Sequence, residues 1–550
     1  MSDYRLSTRE SHEYTLINFI CFLLACFSAV ALAVFVSTTQ TYFITDVLQI
    51  GENVGSYVGI LGLFDEILSM CLVPLMGVLA DRFGSRVIVS SGFCVSGLSL
   101  FGFGYFVRTN VVPQMLFWRL VFAAGLTASL GILTIMVIEM NHSGFDIKAY
   151  IFGLSNSLSP SDRAQEESDA MGRCDGASVN GNHLERVDQL NKSRKDGTKV
   201  SYMGVMSGFG AVFAVTLLLR LPVFFGTTRP AGSAMRLSYY TVGAGAIVVA
   251  AFMWFCSFKS ESDVSFKDDL FESYSQGSGI REDLVSDSDE EHFTSSTARE
   301  SYWTSLKAGF QLSLEDPGIL IAYLSGFISR CITIVITLYI PFYVNSYYRE
   351  IGNCTKNSND KVDCPESYIL SSILTGIANL FGLMLAPISG ILVDRLNNYT
   401  ILISIAATLS TCGFLAFCLI TTPDKSVMIY LAASLMGSAQ IMFIIISMTM
   451  ISNITSEDKY RQREGSISGV FAFVGGVGII FTSFVGGKLA DYSPKLPFLL
   501  IVVTSILSLI AVLFLSGHSL KSLCDLSKRS ERLEEREDAS NLLDYASTQT

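Results

Sequence analysis

Charged side chains are scarce in this sequence of 550 residues. Aspartate, glutamate, lysine and arginine make up 16% of the chain, whereas the apolar residues account for 50%. A water-soluble protein carries about a quarter charged residues, so this composition argues against an ordinary soluble globular protein. It indicates a chain whose solvent is largely the hydrocarbon of a lipid bilayer.

Long apolar runs are abundant. A bilayer core about 30 Å thick needs roughly 20 apolar residues per helix, and twelve runs meet that need. They are Leu16–Val36, Val54–Leu75, Val87–Val107, Met115–Ile138, Tyr202–Phe225, Ser238–Phe258, Gly318–Tyr343, Tyr368–Leu392, Ile401–Thr421, Val427–Ile446, Ile467–Val485 and Phe498–Leu515. The first run is too long for the apolar part of a signal peptide. The pattern predicts an all-α integral membrane protein of 12 transmembrane helices in two six-helix bundles.

Polar segments separate and flank the two bundles. The predicted organisation is a short N-terminus (1–15), a first bundle (16–258) with a polar insertion (141–199), an acidic linker (259–317), a second bundle (318–515) and a polar tail (516–550). Near 301–314 the linker carries Trp303, Leu306, Phe310 and Leu314 at helical spacing. That spacing predicts an amphipathic helix on the membrane surface.

Lysine and arginine are missing from the first predicted loop. The stretch Ser37–Asn53 contains neither, whereas Arg82 and Arg86 follow the second run closely. Because cytosolic loops are enriched in these residues, the asymmetry places the Arg82 side in the cytosol. With an even number of spans, both termini are then cytosolic.

Histidine is also rare, and the five histidines lie outside the apolar runs. The sequence shows no nucleotide-binding loop, metal-ligand cluster or catalytic constellation, so we expect neither an enzyme nor an ATP-driven pump, and no cofactor. The net charge of −11 arises largely from the linker and tail. It therefore gives no indication of a nucleic-acid partner.

One short polar motif occurs twice, each time at the end of the second run of a bundle. PLMGVLADRFGSR begins at Pro74 and PISGILVDRLNN begins at Pro387, and both follow P-x-x-G-x-L-[AV]-D-R. The matched register indicates that the two bundles are internal repeats. The first copy contains Gly77, Asp81, Arg82, Gly84 and Arg86, and the second contains Gly390, Asp394 and Arg395.

The first copy resembles the signature loop of the major facilitator superfamily, between spans two and three. The resemblance covers the twelve spans and implies a secondary transporter whose two halves rock around a central cavity, with this loop as a cytosolic gate. Gly77, which lacks a Cβ, is expected to permit close helix approach. The second copy departs from the pattern, because Asn397 stands where the downstream glycine is expected and no basic residue follows it at the matching position.

Three further comparisons refine the resemblance. Arg119 followed by Gly125 is similar to the superfamily's fourth-span arginine–glycine motif. The fifth-span glycine–proline motif of drug antiporters is absent, which argues against a drug:proton antiporter. The run LEDPGILIAYLSGFISR, from Leu314 to Arg330, is similar to the start of the second half in a poorly characterised, largely fungal branch.

Charges within the apolar runs are the candidates for solute binding or coupling. A charge at mid-bilayer costs about 2.5–3.5 kcal/mol, so Asp65, Glu66, Arg119 and Arg330 should face the protein interior. Asp65 and Glu66 are adjacent, and we expect at most one to face a cavity. Arg330 could bind a solute or pair with a carboxylate. Asp65 or Glu66 could carry a proton or neutralise an arginine.

These features favour a monomeric secondary transporter of a small solute in a lipid bilayer. The arginines favour an organic anion or another carboxylate-bearing solute, and the carboxylates favour a proton-coupled symporter or antiporter. A facilitative uniporter remains an alternative. A non-transporting sensor or scaffold that signals through its acidic linker is another.

Short motifs outside the spans concern processing and sorting. Asn353 begins a glycosylation sequon, and Cys354 and Cys364 would form a plausible disulfide in an oxidising compartment. In the tail, Asp538, Leu542 and Leu543 match an acidic dileucine signal for sorting adaptors. That signal favours a vacuolar or endolysosomal membrane over the plasma membrane.

Overall fold

The computed structural model describes residues 16–142, 203–257, 302–351, 355–356, 362–363, 365–396, 398–424, 426–456, 459–460 and 463–515. Within these ranges, 12 helices are long and apolar enough to cross a membrane. We number them as the first to twelfth spans. Spans one to six form the first half of the molecule, and spans seven to twelve form the second half.

The bounds of the spans follow the apolar runs and extend several of them. The first half contains Leu16–Val47, Val54–Phe83, Ser85–Phe106, Leu116–His142 (preceded by a π-helical turn, Val111–Met115), Met203–Gly226 and Ala231–Cys256. The second half contains Pro317–Ile351, Pro365–Leu396, Tyr399–Leu419, Met428–Ser456, Glu464–Tyr492 and Leu496–Leu515. The predicted all-α class with two groups of six membrane helices is confirmed.

Two other elements lie between spans. A helix at Tyr302–Glu315, which we name the linker helix, precedes the seventh span. Two short strands, β1 (Thr355–Lys356) and β2 (Val362–Asp363), pair antiparallel between the seventh and eighth spans. The hairpin is a small addition to an otherwise helical architecture.

The first span is longer than the sequence predicts. The expected loop beginning at Ser37 is wrong in its first part, because the helix continues to Tyr42 and ends in a π-helical turn, Phe43–Val47. The hydroxyl groups of Thr38 and Thr39 donate to carbonyl oxygens one turn earlier, with Oγ1–O distances of 2.7 Å. Polar side chains whose hydroxyl groups are hydrogen-bonded in this way can be buried within a helix. A span predicted from hydrophobicity alone therefore ends at Val36, before the helix does.

The two halves contact each other closely along the second and eleventh spans. A Cβ atom on Gly59 would lie 2.2 Å from the Ser483 carbonyl oxygen, and one on Gly487 would lie 2.9 Å from the Gly59 Cα. These distances are too short for any side chain, so glycine allows the two backbones to touch here. This contact brings the second span of one half against the eleventh span of the other.

The linker helix packs on the eleventh span of the second half. A Cβ on Gly309 would lie 2.6 Å from the Ser466 carbonyl oxygen. Phe310 and Leu314 are exposed, and the membrane-surface position of this helix stays a prediction. The side chains of Trp303 and Leu306 lie outside the described part of the structure.

Candidate functional site: a charged cavity between the halves

A cavity of about 620 Å³ lies between the two halves. The first, second and fourth spans line it from one half, and the seventh and eleventh spans line it from the other. Volumes of about 300–1,000 Å³ are typical of small-molecule sites. The four charged candidates all line it: Asp65, Glu66, Arg119 and Arg330.

The depth of the cavity places it near mid-membrane. Asp65 lies eleven residues after Val54, the first residue of the second span. At a rise of about 1.5 Å per residue, this separation is roughly 17 Å along the helix. A bilayer core is about 30 Å thick, so a core that begins at Val54 has Asp65 about halfway through it.

Asp65 and Arg119 form an ion pair within the first half. The Arg119 Nε donates to the Asp65 Oδ2 at 2.5 Å, and the side chains are 17% and 7% exposed, with Arg119 the more buried. The two side chains share a single hydrogen bond rather than two parallel ones, and Asp65 Oδ1 and Arg119 Nη1 are buried without a hydrogen-bond partner. Two strong hydrogen-bonding atoms therefore remain unused beside the cavity.

Glu66 and Arg330 come from opposite halves and form no such pair. Both line the cavity and interact electrostatically across it. Among the described residues the ion pairs are Arg119–Asp65 and Arg349–Asp46, so Glu66 and Arg330 are separated by more than the 4.0 Å of an ion pair. The cavity thus presents one unpaired carboxylate and one unpaired guanidinium.

The expectation that at most one of Asp65 and Glu66 faces a cavity is wrong. Successive residues of an α-helix are about 100° apart around the axis, since 3.6 residues complete a turn. Because this angle is well short of opposite faces, a cavity that borders a wide arc of the second span receives both carboxylates. Asp65 turns toward the fourth span and Glu66 toward the eleventh, where a Cβ on Gly476 would lie 2.9 Å from Glu66 Oε1.

A second polar cluster joins the halves on one side of the cavity. Asp46, at the end of the first span, accepts a hydrogen bond from Arg349 Nη2 of the seventh span at 2.7 Å and another from the Tyr368 hydroxyl of the eighth span. The Tyr42 ring stacks on Tyr368 with centroids 3.9 Å apart. We name Tyr42, Asp46, Arg349 and Tyr368 the Asp46 cluster.

The Asp46 cluster was not identified from the sequence. Asp46 lay in the expected first loop and Arg349 lay beyond the expected end of the seventh run. In the structure both belong to helices, and Asp46 is buried with 6% of its surface exposed. The nearby Asn345 amide also reaches across the halves, donating to Thr45 Oγ1 at 3.2 Å, so several polar contacts join the two halves here.

The first motif copy forms the expected corner between the second and third spans. Gly84 lies between the two helices and has a φ of 83°. Residues other than glycine rarely adopt this backbone conformation. The Arg86 guanidinium lies 5.3 Å from the centre of the Trp254 ring of the sixth span. The surroundings of Gly77 and the side chains of Asp81, Arg82 and, in the second copy, Asp394 lie outside what the structure describes, although the helices there are described.

In the second motif copy, Gly390 shows no close helix approach. A Cβ on Gly390 would have no atom within 4 Å, so this glycine is not required for packing in the conformation observed. Arg395 is exposed at the end of the eighth span.

The processing and sorting residues lie outside the part of the chain that the structure describes. They are Asn353, Cys354, Cys364, Asp538, Leu542 and Leu543. The described hairpin pairs Thr355 with Asp363. These are the sequence neighbours of the two cysteines.

Two six-helix halves around a charged mid-membrane cavity define the class of membrane proteins in which secondary transporters are found. The sequence profile of the Major Facilitator Superfamily matches residues 189–482. The match spans more than half of the chain, and the chain belongs to this superfamily. No curated protein sequence matches it.

Solved structures of superfamily transporters share the fold. The nucleoside transporter NupG aligns with a TM-score of 0.60 at 13% identity, covering 91% of this chain and 99% of its own. A D-xylose-proton symporter aligns with a TM-score of 0.55 at 13% identity, covering 91% and 96%. The inward-open xylose transporter XylE from E. coli gives 0.54 at 14% identity, covering 91% and 95%. These are transporters rather than enzymes, in agreement with the sequence prediction.

Proposed function

We propose that this chain is a secondary transporter that carries a small solute through the central cavity by alternating access. The observation that carries the proposal is the convergence of charges from both halves in one mid-membrane cavity. Each such charge is costly in lipid unless it meets a partner or water. A cavity that opens alternately to the two sides of the membrane supplies these charges with water or with a bound solute.

The observed conformation is one end state of this cycle. The Asp46 cluster and the contact of Gly59 with the eleventh span hold the halves together on one side of the cavity. We place both termini and the Asp81 loop in the cytosol, because Arg82 and Arg86 follow the positive-inside rule. The cavity is then shut from the non-cytosolic side, and the cluster must separate for the solute to enter from there.

Asp65 and Arg119 are the proposed proton-coupling pair. Protonation of the carboxylate would remove its charge and release Arg119, which already has an unused Nη1 beside the cavity. Arg119 would then be free to move or to bind the solute. This sequence of events ties proton binding to the state of the cavity and makes the protein a symporter or antiporter.

The solute that we propose bears a carboxylate. Arg330 is an exposed cation on the cavity wall and has no ion-pair partner among the described residues. Guanidinium groups bind carboxylates through two parallel hydrogen bonds.

The test is a flux assay with the purified full-length protein in liposomes under an imposed pH gradient. Pools of amino acids, sugars, nucleosides and organic anions are screened for solute-dependent proton movement. We expect one pool to give coupled flux, and Asp65→Asn to remove the proton signal because its side chain carries no titratable proton. Glu52→Gln, a comparable change at an exposed residue, serves as the control and should leave both signals intact.

Two outcomes would contradict parts of this proposal. Solute equilibration without proton movement would identify a uniporter and remove the coupling role of Asp65. Absence of any flux from demonstrably folded protein would contradict transport and favour a sensor or scaffold that has kept the fold.

We also propose a vacuolar or endolysosomal location, with glycosylation at Asn353 and a Cys354–Cys364 disulfide. The pairing of Thr355 with Asp363 supports the disulfide, because these residues adjoin the two cysteines in the chain. The dileucine residues Leu542 and Leu543 support recognition by sorting adaptors. Glycosidase treatment, non-reducing peptide mapping and localisation of a Leu542→Ala, Leu543→Ala double variant test these points.

A further inference from the structure

The charges of the cavity form a balanced set, and one opposite pair in it lacks partners. Asp65 and Arg119 neutralise each other through a direct contact. Glu66 and Arg330 face the same space from opposite halves without forming an ion pair. Because a charge within a membrane span is costly unless it meets a partner or water, the arrangement leaves a place for a solute that supplies both counter-charges.

A solute with a single charge fits this arrangement poorly. An anion could bind Arg330 but would be repelled by the Glu66 carboxylate. A cation could bind Glu66 but would be repelled by the Arg330 guanidinium. A neutral sugar or nucleoside would leave both protein charges without a direct ion-pair contact. A zwitterion places its ammonium group at Glu66 and its carboxylate at Arg330, so that each charge in the cavity is compensated.

The other residues that line the cavity indicate the chemical character of the uncharged part of the solute. They are mostly apolar and include Met70, Val73, Phe122, Leu126, Ile334 and Phe473. On the eleventh span, two consecutive glycines lie against the charged side chains, where a Cβ atom would crowd them. A Cβ on Gly475 would lie 3.3 Å from Arg330 Cγ, and one on Gly476 would lie 2.9 Å from Glu66 Oε1.

We infer that the transported solute is a zwitterionic amino acid with an apolar side chain, held through its ammonium group by Glu66 and through its carboxylate by Arg330. The inference rests on the proposed transport function and names the substrate class of the same cavity. Because Glu66 and Arg330 belong to opposite halves, the bound solute links them. A solute of this kind thereby favours closure of the two halves around it.

The test uses full-length protein in liposomes loaded with L-leucine, L-methionine and L-phenylalanine, and measures counterflow of the labelled amino acids. L-leucinamide, which lacks the carboxylate, and 4-methylpentanoate, which lacks the ammonium group, are added as competitors. We expect counterflow that unlabelled leucine inhibits and that neither analogue inhibits at tenfold higher concentration. Glu66→Gln and Arg330→Gln should each weaken leucine binding by about ten- to a hundredfold, the usual range for a lost charged hydrogen bond.

A switch of ligand preference separates direct binding from a structural role. Ligand-induced shifts in thermal unfolding report binding to the folded state even when flux is lost. We expect 4-methylpentanoate to stabilise Glu66→Gln and L-leucinamide to stabilise Arg330→Gln, because each variant has lost the charge that repels that analogue. Glu52→Gln and Arg229→Gln, which make the same changes at exposed residues, should behave like the unmodified protein.

The possible failures are distinguishable. Counterflow of a sugar, nucleoside or organic anion without counterflow of the amino acids would overturn the zwitterion inference and leave the transport proposal standing. Counterflow of the amino acids with unchanged ligand preference in both variants would overturn the roles of Glu66 and Arg330. Folded protein that exchanges none of these solutes would overturn both the inference and the proposed function.

Discussion

Gly84 determines how the chain turns between the second and third spans. Its φ of 83° and ψ of 150° lie in a region that glycine occupies readily and other residues avoid. The Gly84 amide also donates to the Ala80 carbonyl oxygen at 2.8 Å, which ends the second span. This glycine, which follows the repeated motif in the first copy and has Asn397 in its place in the second, therefore has a backbone role independent of any gating role.

We predict that Gly84→Ala destabilises the protein by about 1–3 kcal/mol, the usual cost of a non-glycine residue in such a region. The measurement is thermal unfolding of the purified protein in detergent. Gly226→Ala is the control, because Gly226 has no positive φ and a Cβ there would meet no atom within 4 Å. Equal stability of the two variants would contradict the turn requirement.

The four cavity charges could be identified from the sequence, but their pairing could not. Asp65, Glu66, Arg119 and Arg330 stand out because charge is rare within membrane spans. Which carboxylate meets Arg119 depends on the rotation of the second and fourth spans about their axes. The spacing of residues within one helix does not determine how that helix is rotated relative to another. Asp65 and Arg119 are 54 residues apart in the chain, so their contact could not be read from the sequence.

At the scale of helices, the sequence run before the seventh span determines where that helix begins. In the run LEDPG, Asp316 caps the helix by accepting a hydrogen bond from the Gly318 amide at 2.8 Å, and Pro317 occupies the first helical turn. Asp316 Oδ2 also accepts a hydrogen bond from the Tyr460 hydroxyl at 2.8 Å. Burial raises the pKa of Tyr460, so the phenol keeps its proton and donates.

We predict that Asp316→Ala lowers the stability of the protein by about 1–2 kcal/mol, because the helix loses its cap and Tyr460 loses its acceptor. Asp316→Asn is the matched variant and should retain most of the stability, since asparagine caps helices as well as aspartate does. The measurement is again thermal unfolding in detergent. A loss as large in Asp316→Asn as in Asp316→Ala would show that the charge, not the cap, matters.

Helix ends were the least predictable feature at this scale. Hydrophobicity located the twelve spans, because the bilayer requires long apolar segments. It stopped the first span at Val36, whereas the helix continues through buried threonines that satisfy their own hydroxyl groups. Tyr42 and Asp46 of the Asp46 cluster lie in this polar extension, so ending the predicted span at Val36 also hid that cluster.

At the scale of the whole molecule, the repeated motif predicted the two-half architecture, because matched registers require matched structural units. It could not predict the conformation, since alternating access requires the same sequence to adopt at least two arrangements. In the arrangement described, Asp46, Arg349, Tyr368 and Tyr42 join three spans from both halves on one side. Opening that side must separate them.

We predict that Asp46→Asn shifts the conformational equilibrium toward states open on the side of the Asp46 cluster. Breaking a buried ion pair leaves Arg349 without its charged partner, and Asp46 is almost fully buried, with 2% of its side chain exposed. A loss of about 1.4 kcal/mol from the closed state would change the ratio of closed to open protein tenfold. The readout is labelling of a cysteine introduced by Ser37→Cys, a cavity-lining position on the first span, by a membrane-impermeant thiol reagent added on that side.

Peptide mass spectrometry would follow the introduced cysteine separately from the twelve natural ones. Asp46→Asn and Arg349→Gln should each increase its labelling rate, and the double variant should increase it little further, because both changes remove the same interaction. Glu52→Gln, at an exposed residue of the first loop, should leave the rate unchanged. Fully additive effects of the two variants would show that Asp46 and Arg349 act separately, and the cluster would then not be the closure that alternating access must release.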